Sequence, residues 1–164
     1  MDTRISGVVR AAPGAMYELV AAVEDWPRLL EHYRWVRVIG HAEAGRRVVE
    51  MAARRDVVGQ LGVPLRWTAV QTLDPVGPRV EFEHVAGPTR GMWVAWTFER
   101  QPVAAGECPA SLVQVRHVFK PAWPVPGPAL DWVVGEVFVN AVARRTLAHL
   151  GERAERGDRA ERPS

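Results

Sequence analysis

The last long apolar segment, Pro126 to about Arg156, constrains this chain more than any other stretch. Leu130, Val133, Val134, Val137, Phe138 and Ala141 recur there at helical spacing, while Asp131, Glu136, Asn140 and Arg144 fall off the stripe. A one-sided helix has to bury its stripe against another layer, and the preceding residues offer about seven strand-like runs to make one. Asp131, Glu136 and the Arg144-Arg145 pair interrupt the apolar run, so it is not read as a membrane span. A continuous helix over Gly127 to about Glu152 is therefore expected.

In chain order, Arg4 to Arg10 alternate as a first strand and stop at Ala12-Pro13-Gly14. Pro13 suits a first helical turn, and Met16, Leu19, Val20 and Val23 give a short amphipathic helix. Asp25 is expected to cap a second short helix, with Pro27 in its first turn and Leu29, Leu30 and Tyr33 on one side. Strands are then expected at Trp35–Ala42, Arg46–Asp56, Val63–Thr72, Arg79–Ala86, Gly91–Gln101 and Ser111–Lys120, punctuated by Gly and Pro turns. Short connections imply antiparallel neighbours. The fold class is α+β: a curved seven-stranded antiparallel sheet surrounds a long C-terminal helix, with two short helices after strand one. Residues 1–152 read as a single domain and 153–164 as a charged, disordered tail.

With 48% apolar and 24% charged residues, the 164-residue chain has an ordinary globular composition. The pI of about 9.2 does not signal nucleic acid, because the net charge is only +2 and the arginines are interspersed with Asp and Glu. Cys108 is alone, which fits a reducing, cytoplasmic setting. No leader is expected before the first strand. Five scattered histidines offer no metal-ligand pair, and no cofactor motif is present, so neither a metal nor a cofactor is expected.

Strand alternation sorts the side chains into two faces. Val63, Leu65, Trp67, Ala69 and Gln71 share one; Val80, Phe82 and His84 oppose Arg79, Glu81 and Glu83. Met92, Val94, Trp96 and Phe98 face the same way, as do Val113, Val115, His117 and Phe119. The inner surface is thus aromatic, with Gln71, His84, His117 and Tyr33 as its polar groups. That profile fits an apolar pocket and, from pattern alone, more often a packed core; a long, strongly bent sheet leaves more inner surface than one helix covers, so a cavity is expected. His32, His41 and His149 are expected at the surface. Trp35 and Trp93 are expected to point outward, and exposure of both would favour a homodimer over a monomer.

The order of elements, the EDWPRLLEHY segment, the GMWVAWTFE strand, the KP closing the last strand and the long C-terminal helix resemble the START-like helix-grip (SRPBCC) superfamily, and within it the polyketide cyclase/dehydrase group. The resemblance covers nearly the whole chain. It implies that Trp26 and Tyr33 match a pocket tryptophan and tyrosine of aromatase/cyclases, and that Trp67 and Trp96 match aromatic wall positions. Where those enzymes carry an inward arginine this chain has Gln71, and His84 lies near a second arginine position.

The expected activity is binding of a small hydrophobic or polyketide-like molecule in an internal cavity, with aldol cyclisation and dehydration. The alternative is a carrier for a lipid, quinone or isoprenoid. A third reading is an interaction module using the outer sheet face. The candidate catalytic residues are His84, His117 and Tyr33. Trp26, Tyr33, Trp67, Gln71, Phe82, His84, Met92, Trp96, His117, Val134 and Phe138 are the candidate ligand-binding residues. The partner is a small hydrophobic ligand, with no nucleic acid and no stable membrane insertion.

Overall fold

The structure, a computed structural model, describes residues 2–42, 45–57, 61–119, 147–154 and 156; of residues 54–57 and 61–63 only the backbone is described. Runs of β-branched and aromatic residues with period-two burial become strands because that pattern fits a pleat with one wet face. The strands are β1 (Asp2–Val9), β2 (Tyr33–His41), β3 (Arg47–Val57), β4 (Leu61–Asp74), β5 (Arg79–Ala86), β6 (Met92–Gln101) and β7 (Ala110–Phe119). Between β1 and β2 lie α1 (Pro13–Ala21), a 3-10 turn (Val23–Asp25) and α2 (Trp26–Leu29). All neighbours pair antiparallel in the order β1-β7-β6-β5-β4-β3-β2, so β1 and β2 form the two edges. Register shifts in the β2–β3 and β4–β5 pairs add local bends to this curved sheet.

Residues 147–154 are helical, with Arg156. Leu147, Leu150 and Ala154 are buried at i, i+3 and i+7, the inward stripe of the C-terminal helix. A Cβ on Gly7 would lie 3.3 Å from Leu147, and one on Gly151 would lie 3.1 Å from Val9. Gly7 and Val9 share the inward parity of β1 with buried Ile5, so this helix lies on the concave face, close to β1. Residues 120–146, which hold most of the expected helix together with Val134 and Phe138, lie outside the described residues.

Two local expectations are corrected. Asp25 makes no side-chain cap to α2; its carboxylate meets Arg28 at 3.4 Å instead. Tyr33 does not belong to the second helix, because Leu30 already has an extended backbone and Tyr33 opens β2, opposite Ala53. On the convex face Trp35 and Trp93 point outward as expected, yet both are half-buried. The guanidinium carbons of Arg37 and Arg66 lie 4.9 and 5.8 Å from the Trp35 ring, and that of Arg79 lies 5.7 Å from Trp93. Glu50 anchors Arg66 through a hydrogen bond from Nε of 2.8 Å. These arginines cover surface that the dimer argument required to be bare.

Candidate functional site

The register places Thr3, His117, Val94, Phe82, Gln71 and Arg47 in one row across six strands, each directly opposite the next. Directly opposed residues share a face, and here it is the concave one, where Val94, Phe82, Gln71 and His117 are all buried. His84 lies two residues from Phe82 along β5, opposite Ala69. Met92 pairs with Phe119 and Trp96 with Val115 on the same face.

An aromatic chain runs along this wall. Trp26 meets Tyr33 edge-on at 5.2 Å and Phe82 at 5.7 Å, while Tyr33 lies 6.1 Å from Trp67. Trp67 stacks nearly parallel on the imidazole of His84, with centroids 6.0 Å apart and planes at 13°. The Trp26 indole N–H donates to the Leu19 carbonyl at 3.2 Å, which fixes its ring. The Trp67 indole N–H is buried and has no hydrogen-bond partner among the described residues. Gly87 holds this corner tight: it adopts φ +92°, and a Cβ there would lie 2.6 Å from the Arg66 carbonyl oxygen and 2.8 Å from Trp67 Cα.

The β5–β6 turn folds back over His84. Gly91 N–H donates to the His84 carbonyl at 2.9 Å, and buried Thr89 places its Oγ1 2.6 Å from His84 Nδ1. Burial, followed by the electrostatic influence of His117, lowers the His84 pKa to about 3. Burial lowers that of His117 to about 4. Both imidazoles are therefore neutral at ordinary pH. His117 Nδ1 has no partner among the described residues. Burial also raises the Tyr33 pKa, so its phenol stays protonated.

Gln71 is held by hydrogen bonds within the protein. It is fully buried; its Oε1 accepts from Arg47 Nε at 3.0 Å and Nη2 at 2.7 Å, and its Nε2 donates to the Ala21 carbonyl at 3.0 Å. Arg47 Nη2 also donates to Ala21 O at 2.8 Å, and Nη1 pairs with Glu24 at 3.5 Å. Helix ends leave carbonyls without intrahelical donors, and this clamp supplies two for the last residue of α1. The amide thus joins α1 to the sheet.

The structure brings Trp26, Tyr33, Trp67, Phe82 and His84 into one continuous contact chain; Met92, Trp96 and His117 stand on the same concave face. Sequence reasoning missed Arg47, Thr89 and Thr3. The parity signal for two of them was available: Arg47 shares the strand parity of buried Val49 and Met51, and Thr3 that of buried Ile5. A separate open groove between α1, α2 and the C-terminal helix is lined by charged residues, including Glu18, Arg28, Glu152 and Arg153, and borders none of the wall residues above. Among the described residues no group of three or more His, Cys, Asp or Glu could hold a metal, and no helix is long and apolar enough to cross a membrane.

Comparison with known proteins meets this geometry. The bifunctional cyclase/dehydratase of the granaticin polyketide synthase from Streptomyces violaceoruber is 33% identical over 113 residues, which are 68% of this chain and 32% of that protein. The chain thus spans about a third of that relative's length. The crystal structure of the Zhui aromatase/cyclase from a Streptomyces species superposes with a TM-score of 0.72 at 20% identity, covering 95% of this chain and 94% of that one. A START superfamily protein from Mycobacterium smegmatis gives 0.69 at 16% identity over 94% and 97% of the two chains. These two likenesses establish the helix-grip fold. The family profile described as polyketide cyclase / dehydrase and lipid transport matches residues 9–145, most of the chain, and with that match the protein belongs to the polyketide cyclase/dehydrase family.

Proposed function

We propose that the chain binds a small, apolar, carbonyl-bearing molecule of polyketide type between its concave wall and the C-terminal helix, and catalyses aldol cyclisation with loss of water. The observation that carries this reading is the pair of neutral imidazoles, buried His117 and half-buried His84, on one aromatic wall. A neutral imidazole can accept an α-proton, and a charge on one disfavours a charge on the other. One therefore takes the proton while the other stays neutral and holds an oxygen. The carbanion then attacks a second carbonyl carbon, the resulting alkoxide recovers a proton, and dehydration releases water. Tyr33, kept protonated, and the Trp67 indole N–H are donors suited to carbonyl oxygens on the wall.

In the absence of a ligand both imidazoles are weak bases, since burial depresses their pKa values. A bound substrate developing enolate charge supplies the counter-charge that makes proton transfer feasible. The inward guanidinium of Arg47 is already engaged by Gln71, Ala21 and Glu24. That engagement favours the second reading, a carrier that binds without turnover.

Kinetics on a linear poly-β-ketone surrogate separate the two. The enzyme reading expects cyclised, dehydrated product, and a loss of about 10²-fold or more when the true base is removed by His84→Ala or His117→Ala. An unchanged rate in both variants eliminates the histidine mechanism. Tight binding of the surrogate without turnover establishes the carrier.

A further inference from the structure

We propose that Thr3 and His117 together form a subsite for one ligand oxygen, hydroxyl or carbonyl, at the β1–β7 end of the concave wall; this rests on the reading that the wall holds a ligand. Thr3 lies directly opposite His117 in the β1–β7 register. Thr3 Oγ1 and His117 Nδ1 are both buried, and neither has a hydrogen-bond partner among the described residues. His117 is only 8% exposed. Two orphaned polar atoms on facing residues are uncommon, since each costs about 1–3 kcal/mol when left unanswered. Among the described residues, the inward side chains that flank the pair on β1, β6 and β7, namely Ile5, Val94, Val115 and Phe119, are apolar and supply no donor or acceptor. The charged neighbour Arg116 has the opposite parity on β7, where it pairs with Asp2.

Directly opposed side chains start from Cβ atoms about 5 Å apart. At that spacing one oxygen can come within hydrogen-bond reach, roughly 2.7–3.2 Å, of both atoms. A threonine hydroxyl donates or accepts, and a neutral imidazole Nδ1 does either according to its tautomer. The subsite consequently accommodates a carbonyl or a hydroxyl and rejects a hydrocarbon edge. It would fix which end of an oxygenated ligand meets β7, a role in orientation and specificity.

The test compares naphthalene with 2-naphthol, two probes of nearly equal size that differ by one hydroxyl. Fluorescence titration of the wild-type protein is expected to show 2-naphthol bound about tenfold more tightly than naphthalene. Thr3→Val, which keeps shape and β-propensity, should lower that preference to about twofold without changing naphthalene affinity, and Thr3→Ser should retain it. In nitrogen-15 spectra of labelled histidine, the His117 Nδ1 resonance should move on adding 2-naphthol and stay in place with naphthalene. Equal affinities of the wild type for the two probes would overturn the subsite and leave the cavity standing. If Thr3→Val lowers the melting temperature of the free protein while the naphthol preference persists, the two atoms serve a structural water, and the subsite is again overturned. Failure of both probes to bind removes the cavity and the subsite with it.

Discussion

Replacing Gln71 by leucine tests the clamp that joins α1 to the sheet. The substitution conserves volume while deleting an amide that is 0% exposed and makes three hydrogen bonds, two from the Arg47 guanidinium and one to Ala21 O. Hydrogen bonds to a charged group contribute about 1.5–3 kcal/mol and neutral ones about 1 kcal/mol. The Arg47 side chain is only 21% exposed, so water compensates little for the lost acceptor. We expect Gln71→Leu to lower unfolding free energy by about 3 kcal/mol. Removing the guanidinium as well is expected to recover part of that loss, since replacing both partners by apolar groups leaves no orphaned charge. The assay is urea unfolding followed by tryptophan fluorescence for wild type, Gln71→Leu, Arg47→Met and the double variant. The double variant should fall short of the sum of the singles by about 1.5 kcal/mol or more. Strict additivity, or a Gln71→Leu cost below about 0.5 kcal/mol, would refute the clamp.

Gly87→Ala should destabilise the fold by about 3 kcal/mol and disturb the Trp67 indole, because φ is +92° and the new Cβ would lie 2.6 Å from Arg66 O. Gly14→Ala, inside α1 with nothing within 4 Å of the added Cβ, should instead stabilise by about 0.5–1 kcal/mol, both variants being read by urea unfolding against wild type. For pH, burial depresses the folded pKa of His117 to about 4, below its unfolded value of about 6.5. The unfolded chain therefore holds more protons between these values, so the contribution is fully present above pH ~6.5 and is lost as pH falls toward ~4. At pH 5 the loss from His117 alone is about 2 kcal/mol. Denaturation midpoints measured from pH 8 to pH 4 should fall accordingly, and His117→Gln should flatten the profile.

Much of this wall was legible because period-two alternation is a strict consequence of the pleat. Met92, Val94, Trp96 and Phe98, for example, could face only one way once β6 was recognised. Tyr33 was harder to place: its apolar spacing with Leu29 and Leu30 continued a helical pattern, and only the tertiary pairing with Ala53 ends the helix at Leu29. Arg47 sits beside Arg46 in a charged pair that reads as surface, although its parity points inward. Its partner, the carbonyl at the end of α1, is a backbone group that no side-chain pattern can announce. Thr89 escaped for a related reason, since its contact with His84 depends on how the β5–β6 turn folds back. The amide of Gln71 looked available in sequence because the helix end it secures becomes visible only in three dimensions.

Native mass spectrometry of the protein as purified, and after adding a hydroxylated anthraquinone, tests whether the concave wall holds an oxygenated apolar ligand. A one-to-one complex is expected, either with a co-purified apolar molecule or with the added quinone, together with weaker retention in Trp67→Ala and His117→Ala, whose side chains are on that wall. A folded protein that retains neither molecule, or that binds the quinone equally well in both variants, would contradict it.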